Sequence, residues 1–257
     1  MVQDFFREAA AVAGSEMRKL RRDPTELLSR AVQPVLWLAV FGQVFGRVRG
    51  IPTGDLRYLD YMAPGILAQS ILFSAIFYGI AIIWERDLGI IHKLLVTPAH
   101  RSALVFGKAV AAGLRGLVQG VVVYVVALLL HVHILWKPIP ILVVVAAVFT
   151  GACLFSTFSL LIACIVKTRE RFMGIGQVLT MPLFFASNAI YPLALMPGWL
   201  KAIAAFNPLT YLVDVLRSAM ISGGSSVVAP GASFAVMLGV FALLLLLASR
   251  LYPGLAR

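Results

Sequence analysis

The stretch PILVVVAAVFTGACLFSTFSLLIACIV, residues 140–166, decides the fold class. It contains no Asp, Glu, Lys or Arg, and it is longer than the about 20 apolar residues that a bilayer-spanning helix needs. A charged cluster, KTRER at 167–171, ends it. Working outward, comparable apolar runs occupy about 27–47, 61–83, 103–132, 172–190 and 232–249. Composition agrees: 61% of residues are hydrophobic and 13% charged, with mean hydropathy +0.94. A soluble domain carries roughly 45–50% apolar and about 25% charged residues. The sequence therefore predicts an all-α polytopic membrane protein with six transmembrane helices, forming a single transmembrane domain over 1–257.

Three segments between or before these runs have their own character. Residues 1–22 place Phe6, Ala9, Ala13, Met17 and Leu20 at helical spacing and end on Arg18, Lys19, Arg21 and Arg22. That pattern predicts an amphipathic helix lying in the membrane interface. Asp23-Pro24-Thr25-Glu26 then reads as the capped start of a new helix. Residues 84–101, WERDLGIIHKLLVTPAHR, place Ile90, Ile91, Leu94 and Leu95 in one apolar stripe flanked by charge. Such a helix can rest on the membrane or fit a groove in a partner. Residues 191–221 are interrupted by Pro192, Pro197 and Pro208.

The net charge of +11 would suggest nucleic acid in a soluble protein. Here the cations sit between apolar runs, where they set topology instead. Placing the N-terminus inside puts the basic residues of 7–30, 86–108, 167–171 and the tail on one side. The expected topology is multi-pass in the cell membrane, with both termini cytoplasmic and no nucleic-acid partner.

Catalytic signatures are missing. There is no G-x-x-x-x-G-K-[ST], no G-x-G-x-x-G, no H-E-x-x-H and no G-x-S-x-G. His131 and His133 are two apart and do not share a helix face. Cys153 and Cys164 are too far apart along one helix for a disulfide. No catalytic residue, cofactor or metal ligand is expected in this chain. The central parts of the first, third, fourth, fifth and sixth runs lack carboxylates, which weighs against a proton- or ion-driven carrier. Such a carrier or a channel, working without an ATPase, stays the alternative, because a backbone-built site is possible.

Two strings carry a resemblance. Glu85, Arg86, Asp87, Gly89, Leu94, Leu95, Thr97, Pro98, Arg101, Gly107 and Lys108 match the first cytoplasmic loop of the ABC transporter type-2 permease family. Asn207, Pro208, Leu209, Thr210, Tyr211, Asp214 and Arg217 resemble that family's motif before the last span. The chain is most similar to the daunorubicin-resistance subgroup, with nodulation-factor and polysaccharide exporters as relatives.

The resemblance implies a membrane subunit of an ATP-driven exporter. It makes 84–101 a coupling helix on a separate ATPase, through Glu85, Arg86, Asp87, Gly89, Ile91, Leu94, Leu95, Thr97, Pro98 and Arg101. It makes 1–22 a connecting helix and 191–221 a re-entrant helical hairpin at the outer face, carrying Asn207, Pro208, Tyr211, Asp214 and Arg217. Asp214 and Arg217 are i, i+3 neighbours, and a structural pair is the expectation. ATP and Mg would be bound by the partner ATPase, present in two copies, and a second copy of this permease would complete the path. The cargo would be amphipathic: a hydrophobic drug, glycolipid or lipid-linked saccharide, moved outward by alternating access. Phe73, Phe77, Phe184 and Phe185 are candidates for the path wall, with contact to membrane lipid as the competing role. Gly42-x-x-x-Gly46 and Gly116-x-x-x-Gly120 permit close helix contacts.

Overall fold

The computed structural model of the chain describes residues 2–22, 32–46, 53, 54, 56–96, 100–166 and 168–256. Ten helices appear among them. They are α1 Val2–Arg22, α2 Val32–Gly46, α3 Tyr58–Asp87, α4 Ile90–Val96 and α5 Arg101–Leu129. α6 Pro138–Ile165, α7 Arg169–Phe185, α8 Gly198–Phe206, α9 Pro208–Met220 and α10 Pro230–Leu251 follow. The described residues contain no strand, only an isolated antiparallel bridge between Ile134 and Ile221.

Among the described residues four helices are long and apolar enough to cross a membrane: α3, α5, α6 and α10 with its C-terminal extension. α7 has 17 residues, short of the about 20 that a span needs. α2 is shorter still, and its expected beginning, with the 23–26 capping sequence, lies outside the described residues. The run expected at 103–132 stops as a helix at Leu129, and His131 turns the chain with a positive φ of 56°.

α6 is the hub, packed against α3, α5, α9 and α10. In lipid, helices associate through close packing and interhelical hydrogen bonds rather than through apolar burial. The contacts of α6 follow that rule. A Cβ at Gly116 of α5 would stand 2.6 Å from the Ala152 Cβ of α6. Ser159 of α6 donates to the Ile76 carbonyl of α3 at 2.9 Å. The Gly116-x-x-x-Gly120 spacing thus serves a helix contact within the chain, with Gly120 facing Val148. Gly42 faces Leu59 of α3, and Gly46 has no heavy atom near its Cβ direction.

The end of the bundle away from α4 is closed by polar contacts. Asp60 accepts from Arg57 at 2.9 and 3.0 Å and from the His133 backbone and ring at 3.0 Å each. His133 and Leu135 exchange backbone bonds with Ser222 and Met220. The turn between α5 and α6 is thereby fixed to both α3 and the end of α9.

Candidate functional site

The segment 84–101 is three pieces rather than one helix. Glu85, Arg86 and Asp87 belong to the last turn of α3. Gly89 breaks it with φ +71°, a left-handed conformation that a side chain disfavours, and its N–H bonds back to the Arg86 carbonyl at 2.9 Å. The short helix α4 carries Ile91, Leu94 and Leu95, and Arg101 opens α5. Thr97 and Pro98 lie outside the described residues.

This division separates the expected coupling residues by environment. Ile91 is fully buried and anchors α4 on the bundle. The C-terminal turn Tyr252–Ala256 also contacts α4. Leu88, which follows the last turn of α3, and Val96, the last residue of α4, are 68% and 87% exposed. Asp87 is exposed and binds Arg86 at 2.9 Å and Arg169, the first residue of α7, at 2.8 Å. The Arg169 guanidinium also lies 4.3 Å from the Trp84 ring centroid.

Glu85 has a different setting. It is 7% exposed and accepts from Lys108 of α5 and Lys19 of α1, both at 2.5 Å. Glu16 of α1 completes the cluster. It accepts from Lys19 at 3.0 Å, Lys108 at 3.5 Å and Arg115 at 3.2 Å. The Tyr78 ring lies 5.9 Å from the Lys108 ammonium and 5.1 Å from the Arg115 guanidinium. Burying charge is costly unless each ion is paired and hydrogen-bonded, and these residues supply one another's partners. Burial alone would raise the Glu16 carboxyl, but Lys108, Lys19 and Arg115 outweigh it and hold it below the ordinary carboxylate value. Burial would lower the Lys19 ammonium, but its bonds to Glu85 and Glu16 keep it above the ordinary lysine value.

The cluster exists because α1 packs along α5. Ala9, Ala13 and Glu16 recur at i, i+4 and i+7 and form the buried side of α1. Gly107 of α5 allows the approach: a Cβ there would stand 2.6 Å from the Ala9 carbonyl oxygen. Glu8 accepts from the His100 N–H at 2.9 Å, at the start of α5, where negative charge is favoured. The packed side of α1 is rotated from the expected apolar set, since Phe6 is 58% exposed while Phe5 contacts Phe106. Sequence reasoning missed Glu16 as a site residue. The signal was a carboxylate in register with two alanines, with cations at 108 and 115, two turns apart on α5.

The second motif holds the other end together. Asn207 joins α8 to α9: its carbonyl caps Leu209 N–H at 3.0 Å, and its amide donates to the Leu183 and Ala186 carbonyls at 2.6 and 3.2 Å. Pro208 is the first residue of α9, and the Tyr211 hydroxyl donates to the Ala205 carbonyl at 2.6 Å. Asp214 and Arg217 do not form the expected pair. Asp214 accepts from the Val227 and Val228 N–H groups at 2.8 Å each, clamping the loop before α10. Arg217 is 4% exposed, donates to the Asn188 carbonyl at 2.6 Å and covers the Tyr61 ring at 3.8 Å. The helix register gives each residue a nearer backbone partner.

The four candidate wall phenylalanines separate. Phe73 and Phe77 line a groove of about 340 Å³ between α3 and α7, with Phe172, Gln177, Thr180 and Met181. Phe184 is buried against Trp37 of α2, at 5.7 Å between ring centroids, and packs helices rather than facing the groove. Phe185 is 45% exposed and lies outside the groove lining. Among the described residues no group of three or more His, Cys, Asp or Glu could hold a metal ion.

Comparison with known proteins identifies the family. The ABC-2 type transporter family matches residues 8–221. Transport permease ycf38 of Cyanophora paradoxa is 30% identical over 216 residues, covering 83% of this chain and 74% of the relative. Daunorubicin resistance ABC transporter permease protein DrrB1 of Streptomyces coeruleorubidus is 24% identical over 240 residues, covering 92% and 82%. Doxorubicin resistance ABC transporter permease protein DrrC of Mycobacterium tuberculosis is 24% identical over 212 residues, covering 79% and 72%. The match takes in α4, the buried charge cluster and the Asn207 motif, and on its extent the chain belongs to the ABC-2 type transporter family.

Proposed function

We propose that this chain is the membrane subunit of an ATP-driven exporter, and that α1 and α4 together receive a separate ATPase subunit on the cytoplasmic side. One observation carries the reading: the Glu85 cluster joins α1, the last turn of α3 and α5 just beside α4. A push on α1 or α4 is therefore delivered to two long helices at once. The exposed Leu88 and Val96 supply apolar anchors, and Asp87, Arg86 and Arg169 supply charge that sets register. ATP and Mg belong to the partner.

Two copies of the chain enclose the path, each adding the α3–α7 groove with Phe73 and Phe77 to its wall. α2 and α7 complete six crossings, and α8 and α9 form a re-entrant hairpin at the outer face, with Asn207 at its bend. The mostly apolar groove, with Gln177 and Thr180 as its polar points, favours an amphipathic cargo moved by alternating access.

The test is ATP-dependent uptake of daunorubicin into inside-out proteoliposomes holding this chain and its ATPase. Uptake that requires both subunits and ATP is expected. Uptake by this chain alone would favour an ion-coupled carrier.

A further inference from the structure

A furrow runs between α5 and α6, and none of its lining residues belongs to the groove of Phe73 and Phe77. Its volume is about 300 Å³, at the low end of ligand pockets. Leu117, Val121, Leu128, Ile141 and Val145 form its walls, and Gly120 lies among them without a side chain to fill it. The lining from Leu117 to Leu128 extends roughly 16 Å along α5. That is about half of a hydrocarbon core roughly 30 Å thick, the depth of one leaflet. Val121, Val125 and Val145 are 63%, 49% and 43% exposed, so the furrow opens sideways.

The end near the α5–α6 turn differs from the rest. Trp136 contributes to the lining and is 61% exposed, as befits an aromatic at the headgroup level. Lys137 follows at the start of α6, exposed and with no acidic partner among the described residues. An apolar slot one leaflet deep, ending on an interfacial tryptophan and an unneutralised cation, matches a lipid with a negative headgroup.

We propose that this furrow holds one acyl chain of an anionic membrane phospholipid, with its phosphate beside Lys137. The lipid is a resident of the fold and not the cargo, since it lies on a different helix pair from the α3–α7 groove. The inference needs the chain to span the membrane but not to couple to an ATPase.

The test is native mass spectrometry of the full chain, purified in mild detergent and exposed to phosphatidylglycerol or phosphatidylcholine. The wild type should retain one phosphatidylglycerol that V121W/V145W does not, with unchanged circular dichroism in both. I139W, exposed on α6 but outside the furrow, should keep it. K137E should lose the preference for phosphatidylglycerol several-fold. Equal lipid retention in wild type and V121W/V145W would overturn the proposal. So would conversion of a dimer to a monomer in V121W/V145W, which would mark the face as a contact between copies.

Discussion

The Lys108 ammonium and the Glu85 carboxylate lie 2.5 Å apart, with the two residues only 2% and 7% exposed. Breaking a buried pair costs up to about 3–5 kcal/mol where the remaining charge is left uncompensated. Without Lys108, Glu85 and Glu16 are left, among the described residues, with only Lys19 and Arg115. Lys108→Met should therefore lower the unfolding temperature in detergent sharply. Lys108→Met with Glu85→Leu should recover a large part of the loss, because both charges leave together. A double mutant no better than the single would contradict the pairing.

The cluster also sets a pH window for α1. Glu16 has a folded pKa below its unfolded value, so its contribution is complete above the ordinary carboxylate value and is lost as pH falls through the depressed one. Lys19 has a raised folded pKa, so its contribution is complete below the ordinary lysine value and is lost as pH rises through the raised one. Between about 5 and about 10, the span separating those ordinary values, α1 should stay docked. A spin-label distance between α1 and α5 should hold across that range and lengthen in acid. Glu16→Gln should blunt the acid transition.

How far the sequence reached is clearest at these residues. Hydropathy located α3, α5, α6 and α10, because an apolar run as long as a bilayer core with at most two charges has few soluble alternatives. It is not matched by a full-length span at α7, which has 17 residues, and the described part of α2 covers only Val32–Gly46. The break at Gly89 needed a backbone angle that spacing does not encode. The Glu16–Arg115 contact joins residues 99 apart in sequence, and nothing local predicts it. Asp214 and Arg217 were legible as residues of interest but not by partner, since loop N–H groups outcompeted the i, i+3 neighbour.

Asp214 offers a local test of that competition. Its two carboxylate oxygens hold Val227 and Val228, and a hydrogen bond to a charged group contributes about 1.5–3 kcal/mol. Asp214→Ala should speed amide hydrogen exchange at 227 and 228 while α9 stays protected. Loss of protection throughout α9 would mean that the residue does more than clamp the loop.

Asn207 separates two roles by substitution. Asn207→Ser keeps a cap for Leu209 but loses the donors to Leu183 and Ala186, whereas Asn207→Ala loses both. The alanine variant should be less stable than the serine variant by about 1 kcal/mol, the usual worth of an N-cap. Thermal unfolding of the three proteins, side by side, gives the order.

The most direct measurement is co-purification with the ATPase subunit in mild detergent, comparing wild type with Leu88→Glu/Val96→Glu. Both positions are exposed and lie outside the buried cluster, so the variant should fold. The predicted result is a stoichiometric complex for the wild type that is lost in the variant. A wild-type chain that folds and ignores the ATPase, or a variant that binds it equally well, would contradict the assignment of α4 as the coupling face.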